Sequence, residues 1–495
     1  MTTTQQSGSK RIVVVGSGIA GLAAAHRLQE RRERDGLPCE VRVLEAAARP
    51  GGAISTTHRD GFILESGPDT IFTDKPWGLD LIRRLGLGDQ IIGTSEAHRR
   101  TFVARGGVLY PLPEGFALIG PTRIWPFVRS GLLSWSGKAR AGLDLVLPRG
   151  RAADDESLAS FVRRRFGREF LDRLAQPMIG GIYGADPERL SLRATFPQFL
   201  KLEATHRSVI LGLRRARPAG RGTGHTSSGP RYGLFVTLDN GLQAFVDALA
   251  DRLPSGTLQL GASVVGIAHT EQGWTIRLAG GTSLQADSLI LAIPAFQIAG
   301  LTRDLDRDLA RQLEAVPYAS SVTINLAYRR EAIQHPLDGF GFVVPACEGR
   351  TIIACSFSSV KFAHRAPAGH VLLRAFAGGA LQPEPCTWDD ERLLSAVRRD
   401  LEELLAITAP PLWSQLVRHA RVMPQYQVGH LTWLTTLEET LQRWPTLKLA
   451  GNAYRGVGVP DVIHSGEMAA DSLMAALASA PTEPAPACAK GDSHL

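Results

Sequence analysis

Ile12-Val13-Val14-Val15, followed by Gly16-Ser17-Gly18-Ile19-Ala20-Gly21, is the stretch on which the fold turns. Four β-branched residues in a row suit a strand buried on both faces, as in a parallel sheet covered by helices. Gly16 permits a tight turn out of that strand. Gly18 keeps a Cβ out of the path of an approaching pyrophosphate, and Gly21 lets the following helix pack closely on the strand. Helix formers continue through residues 23–28, and the first turn of such a helix presents free N–H groups to phosphate charge. A second strand pattern, residues 40–44, ends at Glu45, 24 residues after Gly21, where a carboxylate accepts hydrogen bonds from a ribose. A glycine triad alone is a weak signal, because ordinary turns use glycine freely. Strand before, helix after and acid at the next strand end together predict a βαβ dinucleotide-binding unit.

Working outward, Arg49-Pro50-Gly51-Gly52 lies just past the acid and resembles the glycine pair of glutathione-reductase-type FAD proteins. Near the other end, Leu449-Ala450-Gly451-Asn452 and Gly456-Val457-Gly458-Val459-Pro460-Asp461 precede a helical pattern over residues 462–478. In that superfamily the last segment returns to the flavin. Its helix N-terminus faces the ring carbonyl and stabilises negative charge on the reduced ring. The dinucleotide so implied is FAD. The Gly-x-Gly-x-x-Gly pattern occurs once, so no second, nicotinamide-binding unit is evident. Electrons are therefore expected to enter from an organic substrate and leave to oxygen or another small acceptor.

The 495 residues suffice for two or three domains. Strand patterns recur at 61–65, 258–267, 274–278, 288–293 and 447–450, and helical ones at 241–253 and 390–405. The expected class is α/β, α+β overall: a Rossmann-like FAD-binding domain assembled from discontinuous pieces, 1–95, 231–300 and 426–479. A helical insertion at 96–230, with a helical pattern over 157–174, and a mixed-sheet substrate domain at 301–425, alternating as antiparallel strands over 318–377, interrupt it. Residues 215–231, dense in Gly, Ser and Pro, read as a mobile loop, and 480–495 as a disordered tail.

No apolar run reaches the roughly 20 residues of a membrane-crossing helix, and the short polar stretch before Arg11 leaves no room for a secretory signal. The five cysteines are scattered without metal-ligand spacing, as free thiols in a reducing cytoplasm would be. No metal site is expected. The net charge of +7 favours an anionic small molecule or an acidic membrane surface. Nucleic acid is disfavoured, because no binding motif accompanies the charge. Residues 116–147 mix Trp125, Phe127 and Trp135 with Arg123, Arg129, Lys138 and Arg140, a composition that suits either a lipid interface or a packed helical layer.

From Arg11 to about Leu477 the sequence resembles the porphyrinogen oxidases, the group containing protoporphyrinogen oxidase and bacterial coproporphyrinogen III oxidase. Beyond the nucleotide fingerprint, the resemblance rests on Glu65-Ser66-Gly67-Pro68-Asp69 and Gly106-Gly107-Val108-Leu109-Tyr110-Pro111-Leu112-Pro113. It continues in Gly180-Gly181-Ile182-Tyr183-Gly184 with Leu190-Ser191-Leu192-Arg193, and in Thr205-His206-Arg207-Ser208. Gly339-Phe340-Gly341-Phe342-Val343-Val344-Pro345 and Met423-Pro424-Gln425-Tyr426 with Gly429-His430 complete it. The resemblance implies oxidation of a porphyrinogen to a porphyrin in haem biosynthesis, by three two-electron steps, with oxygen as acceptor and hydrogen peroxide as product. Pyrrole nitrogens lose protons during tautomerisation, so no catalytic protein base is assigned, and positioning and flavin electronics carry the rate.

By position in those motifs, Gly16, Ser17, Gly18, Ile19, Ala20, Gly21, Glu45, Ala46, Arg49, Gly52 and Ala53 are expected at the flavin. Gly67, Pro68, Asp69, Thr70, Val264, Gly451, Val457, Gly458 and Val459 complete that set. Val343 and Phe376 would clamp the macrocycle, Gly181 would leave room beside it, and Ile182 and Tyr183 would line the cavity; simple core packing is the competing reading. Arg100 is the candidate for a substrate propionate, with Arg99 and Arg207 behind it.

Two departures bear on substrate choice. Animal protoporphyrinogen oxidases carry an arginine after Gly-Pro, where this chain has Asp69 as bacterial members do, and their propionate-binding arginine falls near Thr101. Many bacterial relatives have a tryptophan shortly before Met-Pro-Gln-Tyr, whereas this chain reads Arg418-His419-Ala420. The bacterial-type features favour coproporphyrinogen III over protoporphyrinogen IX. Alternatives are a flavin amine oxidase, a carotenoid-type desaturase, or a non-enzymatic flavoprotein that carries porphyrin or haem as a partner of ferrochelatase or another haem-pathway enzyme.

Overall fold

The computed structural model describes residues 9–36, 38–117, 119–150, 155–215 and 234–479. The tail at 480–495 and nearly all of the loop read at 215–231 lie outside the described residues.

Lys10–Val15 forms the middle strand of a five-stranded parallel sheet. Cys39–Leu44 and then Leu258–Gln259 lie on one side of it, Ser288–Leu291 and Leu447–Leu449 on the other. The β-branched run is buried on both faces because two layers cover it. Ile12 and Val14 meet the helices Ile19–Asp35, Gln243–Asp251 and Val459–Ser479. Val13 and Val15 meet a three-stranded meander, Val264–Thr270, Gly273–Leu278 and Ser283–Ala286, with helices beyond it.

The strand pattern over 258–267 is split between two sheets. Leu258–Gln259 ends the parallel sheet, the chain turns at Gly261 (φ +70°), and Val264 opens the meander. A positive φ breaks extended backbone, which period-2 alternation does not reveal. The helical pattern over 157–174 is likewise interrupted. Leu158–Phe166 stops at Gly167 (φ +94°), and a π-helical turn, Leu171–Ala175, leads into Gln176–Tyr183.

The second large sheet has seven strands. Trp413–Pro424, Tyr318–Arg329, His370–Gly378, Ile352–Phe357 and Gly341–Val343 run in that spatial order, followed by Thr101–Arg105 and Val108–Pro111. The last two strands fall in the segment read as helical insertion, so that segment enters this sheet before its helices begin. One face of the sheet packs Phe342, Cys355, Ala375 and Ala377 against the helix Asp390–Leu405. The other face is directed at the nucleotide domain and at the helix Gln176–Tyr183.

Candidate flavin and substrate site

Helix Ile19–Asp35 begins at Gly18 in extended backbone, with no side chain capping it and no acid in its first turn. Its first N–H groups therefore have no intrahelical acceptor and are available to an anion. A Cβ built on Gly18 would meet no protein atom within 4 Å, whereas one on Gly21 would lie 1.9 Å from the Gly16 carbonyl oxygen. Gly21 is thus glycine for packing, whereas no protein atom requires glycine at Gly18. The Gly51 N–H donates to the Ser17 carbonyl at 2.8 Å, and Gly52 stands beside Gly18. Glu45 closes the strand as expected, and one of its carboxylate oxygens accepts from the Ser17 N–H and hydroxyl at 2.8 Å each. Its other oxygen accepts from the Ala47 N–H, next to exposed Ala46. Arg49 folds back to donate to the Pro50, Gly52 and Ile54 carbonyls, which holds the glycine pair and Ala53 in shape. Val264 enters the meander two residues after Ala262, whose N–H donates to the Glu45 carbonyl.

Helix Val459–Ser479 packs on Ile19–Asp35 with Gly466 against the Ala20 carbonyl, while Arg27 bonds Asp471 at 3.0 Å. These contacts run in the same direction along both helices, so the helices are parallel and their N-termini open on one side. Val459 lies seven residues before Gly466, so its end stands about 10 Å further along the axis. Two helix N-termini so displaced, one for phosphates and one for a ring, fit an extended dinucleotide. A Cβ on Gly451 would also meet open space, and Gly458 begins the second helix by accepting from the Val462 N–H. The residues present fit FAD.

The loop from Ser66 to Thr70 is held from the seven-stranded sheet. The Nε2 of His419, whose pKa burial lowers, donates to the Ser66 carbonyl at 2.8 Å. Buried Arg374 donates to the Gly67 carbonyl and stands 3.6 Å from the Asp69 carboxylate, which takes Lys361 at 3.0 Å. Burial by itself would raise the Asp69 carboxyl, but Lys361 and Arg374 outweigh it and bring its pKa from 3.8 down to about 2. A depressed carboxyl pKa contributes stability that is fully present above the unfolded value and is lost as pH falls through the folded one, here from about 4 to about 2. That contribution is about 2 kcal/mol. The urea midpoint should therefore fall across that window, and Asp69→Asn should flatten the fall; an unchanged slope in the variant would remove Asp69 from the account.

The substrate candidates meet on the same sheet face. Register places Val343 opposite Ala354, and Ala354 opposite Phe376, so the three form one cross-strand row. Thr323 and Val103 extend it on either side. Val343 and Phe376 stand two strands apart, about 10 Å, with only the methyl group of Ala354 between them. Gly181 faces Val343, since a Cβ there would lie 3.6 Å from Val343 Cγ1. Tyr183, Met178 and Val457 pack in the same cluster as Val343, Ala354 and Phe376. Burial and the nearby Asp461 push the Tyr183 phenol up to about 12, so it stays neutral. Ile182 lies in the same helix, its side chain outside the described residues. Arg100 is not brought to this cluster: it is two-thirds exposed and pairs with Asp338 at 2.8 Å, at the end of the strand Thr101–Arg105. Arg99 pairs with Glu96, and Arg207 donates to the Leu145 carbonyl in the helical layer.

Ala354, Met178 and Arg374 are the members that sequence reasoning passed over. Arg374 and Phe376 share a sheet face by strand alternation, so the arginine could have been found once Phe376 was chosen. Ala354 carries no chemical signal and is visible only through register. Among the described residues no cluster of metal-ligating side chains occurs, and no helix is long and apolar enough to cross a membrane.

Residues 19–474 match the family model described as flavin containing amine oxidoreductase. The coproporphyrinogen III oxidase of Bacillus subtilis (strain 168) is 35% identical over 473 residues, covering 95% of this chain and 99% of the relative. The protoporphyrinogen oxidase of Bos taurus is 33% identical, covering 94% and 98%. A crystal structure from Exiguobacterium sp. 255-15, provisionally described as a protoporphyrinogen oxidase, superposes with a TM-score of 0.83 at 31% identity. It covers 94% of this chain and 99% of that one.

Proposed function

The chain belongs to the flavin containing amine oxidoreductase family, and from that footing we propose that it is an FAD-dependent porphyrinogen oxidase acting on coproporphyrinogen III. The observation that carries the reading is the Val343–Ala354–Phe376 row, a flat apolar floor about 10 Å wide beside the loops that meet at the flavin site. A polyamine would want anionic groups there. A flexible tetrapyrrole macrocycle wants breadth and apolar contact.

When bound, the flavin supplies a hydride acceptor. The protein's own part is to bind, orient and exclude water. Val343 and Phe376 bracket the ring, Gly181 stands beside Val343, and neutral Tyr183 closes the side nearest Asp461. No titratable side chain belongs to the row, which suits a substrate whose pyrrole nitrogens release the protons themselves. Over three turns a porphyrinogen loses six hydrogen atoms, and three dioxygen molecules take them up as three of hydrogen peroxide. Asp69 and the bacterial relative favour the tetracarboxylate substrate.

Trp125 and Trp135, both 73% exposed, lie close in sequence to Arg123, Arg129 and Lys138. Such a surface suits peripheral contact with an anionic bilayer. Incubating the purified protein with coproporphyrinogen III, protoporphyrinogen IX and a polyamine, and following porphyrin fluorescence and peroxide, tests the assignment. Coproporphyrinogen III should give the fastest porphyrin formation, with one peroxide per electron pair. Oxidation of neither porphyrinogen above the buffer blank would overturn the reading.

A further inference from the structure

We propose that Tyr426 is a positioning residue that aims the second helix N-terminus at the flavin ring and so sets the cofactor's reduction potential. The Tyr426 hydroxyl lies between the two ends of the turn that leads into helix Val459–Ser479. It donates to the Asn452 carbonyl at 2.7 Å and accepts from the Gly456 N–H at 2.7 Å. The turn between them needs glycine at its edges, Gly451 with φ +136° and Gly456 with φ +147°, and its only continuation is the Gly458 start of the helix. A segment with that much backbone freedom holds one shape only if something ties it.

Three further bonds tie it to three surrounding elements. His430 stacks on the Tyr426 ring at 3.9 Å with an interplanar angle of 11° and donates through Nε2 to the Tyr454 carbonyl at 2.8 Å. Asn452 donates to the Val422 carbonyl at 3.1 Å, and the Gly451 N–H to the Ser465 hydroxyl at 3.0 Å. Tyr426 is 2% exposed, and burial pushes its phenol far above the ordinary value, so it is a fixed neutral donor and acceptor at any working pH. Its own backbone is anchored to the helical layer, since its carbonyl accepts from the Ser191 N–H at 2.8 Å. The adjacent Gln425 reaches the Tyr183 carbonyl. One hydroxyl thus joins the helical layer and the end of the substrate sheet to the turn that carries Val457 and Gly458.

The electrostatic consequence follows from geometry. A helix N-terminus stabilises charge only within about its first turn, and oriented N–H groups act strongly only when they are held in place beforehand. Removing the hydroxyl leaves the Asn452 carbonyl and the Gly456 N–H without that partner in a half-buried turn, which then relaxes. The helix end loses its aim while the phosphate-binding end at Gly18 is untouched.

The test uses the full-length holoprotein carrying Tyr426→Phe. The variant should retain a full complement of FAD, show altered visible circular dichroism of the flavin, and lower the reduced-to-oxidised ratio at a fixed dye poise by about tenfold, equivalent to about 30 mV for a two-electron couple. In turnover kcat should fall while KM holds. His430→Phe, which keeps the ring stack and removes only the Tyr454 bond, should shift the potential the same way by less. A folded Tyr426→Phe protein with wild-type potential and flavin spectrum overturns the proposal, and so does one that folds but loses FAD, since the hydroxyl would then serve retention alone. Should Tyr426→Phe fail to fold, 3-fluorotyrosine at 426 replaces it: a shifted potential supports the role and an unchanged one overturns it. The flavin content, the circular dichroism and the potential need no porphyrinogen, so those three readouts stand apart from the substrate assignment.

Discussion

Gly18→Ala is expected to fold with the stability of the parent apoprotein and yet to bind FAD roughly a hundredfold more weakly, a loss of about 2.7 kcal/mol. The added methyl group meets no protein atom within 4 Å, and the backbone at Gly18 (φ −62°) is one that alanine adopts freely. Nothing in the protein opposes the substitution. The methyl instead occupies space in front of the open helix terminus and pushes a phosphate away from the N–H groups that would hold it, each charge-assisted bond contributing about 1.5–3 kcal/mol.

Gly21→Ala, five residues after Gly16, should behave differently. Its methyl would lie 1.9 Å from the Gly16 carbonyl oxygen and 3.2 Å from the Ala292 Cβ. The Gly16 backbone cannot yield, so helix and strand must separate, at about 3 kcal/mol or more. Both variants lose FAD, but only Gly21→Ala should lower the urea midpoint of the deflavinated protein. Flavin titration by fluorescence quenching and denaturant titration of the two apoproteins measure the difference. A Gly18→Ala protein that binds FAD within threefold of the parent would show that the space serves no ligand.

This pair also shows what a sequence discloses. Gly16, Gly18 and Gly21 were legible because their backbone demands are local: a turn, an open terminus and a close helix crossing fall within six residues. The split at Gly261 and the break at Gly167 were not, because a glycine inside a periodic pattern does not announce its φ. The substrate row was hidden for another reason. Val103 and Val343 are neighbours although 240 residues separate them, and no periodicity in either strand reports a partner chosen by tertiary packing. The family resemblance supplied Val343 and Phe376 by position. It could not supply the alanine between them, nor show that Arg100 is engaged by Asp338 away from the row.

That alanine leads to the second large effect. Ala354→Phe is expected to keep its FAD and lower kcat/KM for porphyrinogen at least a hundredfold, about 2.7 kcal/mol of transition-state binding. Ala354 is 9% exposed, and its neighbours in the row are the two side chains proposed to bracket the macrocycle. A benzyl group there stands at the midpoint of a gap about 10 Å wide and raises the floor by the thickness of a ring. The macrocycle must then ride above the plane in which Val343 and Phe376 meet it, and a displacement of even 1 Å from the reacting position costs heavily. The opposite face of this strand, where Cys355 packs under the helix Asp390–Leu405, is unaffected, so folding should survive. Ala354→Gly serves as the contrasting change, because it removes a methyl from the floor without filling the gap and should leave turnover within a few fold. Steady-state kinetics with coproporphyrinogen III, alongside flavin content of each variant, decides the matter. If the phenylalanine variant turns over at a rate near the parent's, the row does not face the substrate and Val343 and Phe376 are core residues after all.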